Sequence, residues 1–327
     1  MSVSEPARSL RHQERIAAGA LLLATVFWGC GFTWAKEAGQ AVQDAAGLPR
    51  QSAFGPVFLL AWRFLLAAIA WFAVFPASRT GWTSRALGWA LLVGSLLAGG
   101  LIVQHVGLDQ TSEAVSAFLT SLTILFVPLL MVFLARKPPK PVLWIGVGLA
   151  TLGVWLMTGF QPHGFGRGEI LGLACAFLFS LYILAVNAAS IHETPWRMVG
   201  SQFAVVAIAC FITCAFLRGG REHLAVRPMI HIVTASGVWK NLLLITTLTT
   251  LLSFGLLTFF QPKIDATRAA LLYLAEPIFA TIYAAIAANH RPGYMTIAGA
   301  GLILIANVVV EVLSSSTKPA ENVLLVD

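Results

Sequence analysis

Long apolar runs alternate with short polar breaks along the whole chain. A helix that crosses a bilayer needs about 20 mostly apolar residues. Ten runs meet that length, near 16–35, 57–76, 86–106, 112–134, 141–159, 169–189, 199–217, 238–260, 267–288 and 293–313. Charges, Pro or Gly bound each of them. None shows the ten-residue alternation of a barrel strand. The pattern predicts an all-α integral membrane protein of ten transmembrane helices, with no room for a soluble domain. The longest connections are expected at 36–56 and 218–237.

Composition excludes the other classes. The chain of 327 residues is 58% apolar and only 11% charged, where an ordinary soluble domain is about 25% charged. Four cysteines are too few for a disulfide scaffold. The net charge is +7, and its placement orients the chain. Lys and Arg favour short cytoplasmic loops. With the N-terminus inside, Arg8, Arg11, Arg15, Arg79, Arg85, Arg136, Lys137 and Lys140 all fall on the cytoplasmic side of the first half. The second half is less decisive, because Arg218, Arg221, Arg227 and Lys240 fall outside. Both termini are therefore expected in the cytoplasm, of a bacterial inner membrane. Residues 1–15 carry charges of both signs, and the apolar run behind them is span-length. They read as a topology-setting tail rather than a cleavable leader.

The second half repeats the first. Glu113-Ala114-Val115-Ser116-Ala117-Phe118-Leu119 aligns with Arg268-Ala269-Ala270-Leu271-Leu272-Tyr273-Leu274. Each then enters an apolar run, meets a short basic loop with Pro139 or Pro292, and restarts on Gly146-Val147-Gly148-Leu149 or Gly299-Ala300-Gly301-Leu302. Phe27 and Phe32 match Phe177 and Tyr182 more loosely. The expected organisation is a tail at 1–15, one five-helix repeat at 16–160, a second at 165–313, and a tail at 314–327. Five is odd, so consecutive repeats sit in the membrane in opposite orientations. Inverted repeats recur in secondary transporters, with substrate bound near the midplane between them.

These residues resemble the EamA-type permeases of the drug/metabolite transporter superfamily. The first run, Trp28-Gly29-Cys30-Gly31-Phe32 closing in Lys36, is similar to that family's opening motif. Trp62-Arg63-Phe64 is similar to its Arg-Phe in the second span, and Ala275-Glu276-Pro277 to its Glu-Pro in the ninth. Gly168-Glu169-Ile170-Leu171-Gly172 resembles the start of its second half. The resemblance covers about 16–313 and implies two inverted halves around a central cavity and export of small metabolites. One departure stands out. Members often carry Gly-Glu-Arg after the fourth and ninth spans, whereas this chain has Ala135-Arg136-Lys137 and Asn289-His290-Arg291. A role for those carboxylates is not carried over.

Charged residues inside spans cost at least about 2.5–3.5 kcal/mol each on insertion scales, so they face a cavity or a partner. Glu276 lies about nine residues into its run, hence roughly 13 Å deep, near the middle of a core about 30 Å thick. It can hold a substrate amine or carry a proton, and Pro277 behind it frees a backbone carbonyl. Arg63 suits a substrate carboxylate, because its planar fork binds bidentately. The plainer reading pairs Arg63 with Glu113. His105, at the end of the third run, is a titratable candidate or simply an interfacial residue. Trp28, Trp34, Tyr182 and Tyr273 lie deep enough to line a cavity and stack on a solute, or else to pack helices. Substrate binding is thus assigned to Trp28, Trp34, Arg63, Tyr182, Tyr273 and Glu276, and coupling or gating to Glu276, Glu113 and His105. Thr246, Thr247, Thr250 and Ser253 form a polar stripe on the eighth run, either a wet path or helix glue.

Cys30, Cys175, Cys210 and Cys214 lie in spans without His or carboxylate companions, so no metal site is expected. No nucleotide loop, nucleophile elbow or zinc helix motif is present. No cofactor, no catalytic residue and no enzymatic activity are expected, nor any nucleic-acid partner. The partners are a small-molecule substrate and the lipid bilayer; two fused halves make a monomer sufficient, with a homodimer as the open alternative. The first reading is a secondary transporter, an exporter of an amino acid or similar solute by alternating access. A lipid flippase is the alternative, and a membrane-embedded enzyme is less favoured because acid–base pairs do not cluster.

Overall fold

The computed structural model describes residues 5–135, 141–157, 166–260, 263, 272–273, 275–287, 289 and 291–315. Among them all regular structure is helical. The first five segments are α1 (Glu5–Ala45), α2 (Phe54–Val74), α3 (Ser84–Leu108), the pair α4 (Glu113–Ser121) and α5 (Thr123–Ala135), and α6 (Pro141–Met157). The second half brings α7 (Arg167–Ser190), α8 (Pro195–Phe216), the short α9 (Gly220–His223) and α10 (Val226–Thr234). Next come α11 (Ser236–Leu244), a π-helical stretch Ile245–Leu252, and α12 (Ser253–Phe260), as one continuous rod. The last helices are α13 (Glu276–Ala287) and α14 (Tyr294–Ser315).

Seven segments among the described residues are long and apolar enough to cross a bilayer: Gln13–Ala45, Phe54–Val74, Ser84–Leu108, Glu113–Met131, Arg167–Ser190, Pro195–Phe216 and Ser236–Leu257. Three shorter apolar helices, Trp144–Gly153, Glu276–Ala287 and Tyr294–Val309, stand where the fifth, ninth and tenth runs were expected. Arg136, Lys137, Arg268 and His290 lie outside the described residues, as does most of the expected C-terminal tail, while the expected N-terminal tail from residue 5 onward is the first part of α1.

The local structure departs from expectation in three places, each for a physical reason. The connection expected at 36–56 is mostly helix, because 35–45 is rich in Ala, Lys, Glu and Gln, which favour helix, and buries Ala38, Val42 and Gln43. The fourth run breaks at Leu122. Its hydroxyls turn back onto the helix: Thr120 Oγ1 donates to Ser116 O (2.9 Å), Ser121 Oγ to Phe118 O (2.7 Å) and Thr123 Oγ1 to Thr120 O (2.7 Å). Such back-bonding competes with the ladder and bends helices. The eighth run widens into a π stretch at its threonines. Thr250 Oγ1 donates to Ile245 O (3.1 Å) and Ser253 Oγ to Leu248 O (2.8 Å), each five residues back. Single π turns frequently mark functional sites.

The principal helix contacts pair up when the first five segments are exchanged for the last five. The α3–α7 contact has its mate in α1 against α11–α12, and α4–α5 against α7 has its mate in α1–α13. The α3–α8 contact maps onto α2 against the π stretch, while α2–α8, α4–α13 and α6–α14 map onto themselves. Lipid tails are as apolar as Leu, so helices associate by close packing of small residues rather than by hydrophobic drive. A Cβ at Gly153 of α6 would stand 2.6 Å from the Gly299 carbonyl of α14. Gly148 and Gly301, which correspond in the two repeats, both face open space. The α2–α8 seam is aromatic, with Phe54, Phe58, Phe64, Trp71 and Phe203 all fully buried.

Candidate functional site

Arg63 enters the site on α2, amid apolar neighbours that leave its charge no local relief. It is 7% exposed. Its Nε donates to Thr250 Oγ1 (2.7 Å), and its guanidinium lies over the Phe64 ring at 5.2 Å. Among the described residues no carboxylate comes within ion-pairing distance of it. Glu113 has another cation, Lys36, at 3.6 Å. The Arg63–Glu113 pair expected from sequence is thus replaced by two separate arrangements, because α1 runs long enough to bring Lys36 to the start of α4.

His105 on α3 is buried. Its Nδ1 is 3.0 Å from Leu101 O, so that nitrogen carries the proton and Nε2 is left as an acceptor. The preceding Gln104 donates to Thr120 Oγ1 (3.1 Å), and Thr120 lies 3.9 Å from the Cys175 sulfur of α7. The contacts Gln104–Thr120–Cys175 thus link α3, α4 and α7 through polar side chains. Glu276 opens α13 and is half-buried.

The Trp28-Gly29-Cys30-Gly31 run explains how α1 closes this site. A Cβ at Gly29 would stand 2.9 Å from the Glu276 carbonyl oxygen and 2.8 Å from Ala280 N. One at Gly31 would stand 2.8 Å from Thr249 Cγ2. Only glycine lets α1 touch both α13 and the π stretch. Trp28 Nε1 then donates to Thr249 O (2.9 Å), and its ring meets Phe254 and Tyr273 at 6.1 and 6.0 Å between centroids. Thr33 and Thr246 are buried with hydroxyls that make no hydrogen bond in this state. Thr33 lies on α1 and Thr246 near the start of the π stretch that packs against it.

The remaining candidates are tied up by neighbours. Trp34 Nε1 donates to the Tyr283 hydroxyl (2.7 Å), with the rings edge-to-face at 5.6 Å. Tyr182 OH donates to Gln202 Oε1 (2.7 Å) and joins α7 to α8. Each holds two helices together at the site's margin. Of the polar stripe read from the sequence, Thr246, Thr250 and Ser253 are buried, but Thr247 is exposed. Thr249 replaces it, because π winding shifts the face. Gln104, Thr120 and Thr249 had been read only as polar residues of their spans, and Tyr283 was not singled out, although two turns after Glu276 it was readable from its helical spacing.

Polar ties close the bundle at both ends. At the α3–α4 corner Lys36 Nζ donates to Thr111 O (2.6 Å), Thr111 Oγ1 to Glu169 Oε1 (2.7 Å), and Gln43 Nε2 to Asp109 Oδ2 (2.9 Å). At the opposite end Arg197 lies 3.0 Å from Glu193, donates to Gly81 O (2.5 Å) and sits over Trp82. Among the described residues no group of His, Cys, Asp or Glu is placed to hold a metal ion.

Comparison with known proteins agrees with this architecture. The EamA-like transporter family matches twice, over residues 15–159 and 166–311. A protein of Archaeoglobus fulgidus described as an uncharacterized transporter is 26% identical over 201 residues, which is 60% of this chain and 58% of that protein. The chain thus spans less than two thirds of the length of this relative. A solved crystal structure superposes with a TM-score of 0.56 at 18% identity, over 90% of this chain and 99% of the other, a likeness of fold alone.

Proposed function

Because the chain belongs to the EamA-like transporter family of the drug/metabolite transporter superfamily, we propose that it is a secondary transporter that exports a small zwitterionic metabolite, an amino acid or similar solute. Ten spans, arranged as two inverted repeats around a central cavity with both termini in the cytoplasm, rock to expose the site to either side in turn. The observation that carries the substrate class is Arg63, a buried cation held by Thr250 with no carboxylate at pairing distance among the described residues. A substrate carboxylate completes the guanidinium fork that Thr250 leaves half used. A substrate amine meets Glu276. The unbonded hydroxyls of Thr33 and Thr246 offer further donors on α1 and the π stretch.

Alternating access needs ties that can be broken, and the bundle has them at both ends. The Lys36–Glu113 and Thr111–Glu169 contacts close one mouth; Glu193–Arg197–Gly81 closes the other. The test compares medium and cell metabolites from cells expressing the wild type, Glu276→Gln or no transporter. Selective release of amino acids by wild type, lost in Glu276→Gln, is the expected outcome. Wild-type cells that release nothing more than empty cells, despite confirmed insertion, would overturn the export reading.

A further inference from the structure

The segment between α8 and α11 carries Arg218, Arg221 and Arg227, and α11 adds Lys240, all exposed, against one carboxylate, Glu222. This is the stretch that weakens the charge asymmetry of the second half, and the transport site makes no use of it. The chain is built tightly here. Gly219 adopts φ +73°, and the Cα of Gly220 passes so close to the Cys214 carbonyl that no side chain fits. The turn folds Arg221 back over the end of α8 and leaves a shallow cavity of about 300 Å³ lined by residues 215–217 and 219–222.

An apolar track leads into that cavity. Ile208, Ile212 and Phe216 fall at four-residue spacing on the outer face of α8 and are 59%, 53% and 78% exposed. They end at the basic turn. Trp239, 43% exposed with Lys240 over its ring at 6.0 Å, places the start of α11 at headgroup level. The amphipathic α10 lies between, with Ile232 buried and Val226 and Ile230 outward. Apolar length below and positive charge at the rim is the arrangement an anionic amphiphile fits.

We propose that the α8–α9 corner binds an anionic phospholipid of the surrounding bilayer, its phosphate against Arg218 and Arg221 and one acyl chain along Ile208, Ile212 and Phe216. Glu222 at the cavity wall disfavours a bare, multiply charged anion more than a singly charged phosphodiester. Charge carries the selectivity, so two arginines at a membrane surface correspond to roughly a 30-fold preference over a zwitterionic lipid.

The full chain in nanodiscs of mixed phosphatidylglycerol and phosphatidylcholine, released and weighed by native mass spectrometry, tests this. Retained phosphatidylglycerol is expected to exceed retained phosphatidylcholine by about that factor. The Arg218→Gln/Arg221→Gln variant should lose the excess, and Arg218→Lys/Arg221→Lys should keep most of it. Arg50→Gln, an exposed arginine paired with Asp44 elsewhere, should leave it unchanged. Equal retention of both lipids, an undiminished excess in the Gln variant, or equal loss in the Lys variant would overturn the proposal. So would displacement of the lipid by inorganic phosphate at moderate concentration, which would make the corner a free-phosphate site.

Discussion

Gly29→Ala is the sharpest test of how α1 positions the site. The new Cβ would stand 2.7 Å from Phe279 Cβ, 2.8 Å from Ala280 N and 2.9 Å from Glu276 O. Carbon atoms rest at about 3.5–4.0 Å, so α1 and α13 must separate by several tenths of an ångström to almost 1 Å. Two of the three atoms are backbone, so no rotamer change relieves the clash. Overpacking of this kind costs about 1–3 kcal/mol. Alanine is also the better helix former by about 1 kcal/mol, which would mask part of the loss. Gly19→Ala removes that ambiguity. It lies on the same helix with nothing within 4 Å of its added Cβ, so it gains propensity without strain. The difference between the variants isolates the packing term. Thermal unfolding in detergent should place Gly29→Ala several degrees below Gly19→Ala. Export should fall in Gly29→Ala alone, because Glu276 moves with α13. If the two variants unfold at the same temperature and transport alike, the close approach of α1 to Glu276 is wrong.

Further outcomes follow from the same contacts. Thr250→Val keeps the shape but removes the acceptor of Arg63 Nε; a hydrogen bond to a charged group is worth about 1.5–3 kcal/mol, so substrate affinity should drop roughly tenfold or more in a binding assay with the solute that the metabolite comparison identifies. Arg63→Lys keeps the charge and loses the fork, and should fall between wild type and Arg63→Gln in the same assay; equal activity of Lys and wild type would argue against bidentate carboxylate binding. Glu113→Gln removes the anion facing Lys36 and should increase labelling of Cys30 by a membrane-impermeant maleimide applied from the α3–α4 side; unchanged labelling would mean that this tie does not hold the mouth closed. Trp28→Phe loses the bond to Thr249 O and should slow transport with little effect on thermal stability; unaltered transport would count against a part for the π stretch.

The order of apolar runs and the place of Arg63 inside a membrane-length helix were legible in the sequence, because hydropathy and helical rise act along the chain; Glu276, expected near the middle of its run, stands at the first position of α13. The family was legible too, since its motifs stand in order along the chain. Partner choice was not legible. Arg63 and Glu113 lie 50 residues apart and looked complementary, yet the tertiary structure gives Glu113 to Lys36 and Arg63 to Thr250. Which threonines of 246–253 face inward depended on π winding, which no α-helical periodicity reports. The glycines of the first span could be read as motif letters but not as contact points until α13 lay against them. Sequence fixes what each segment must bury from water or offer to lipid; only packing decides which polar groups meet, since a buried charge takes whatever donor or acceptor the neighbouring helix brings to its level.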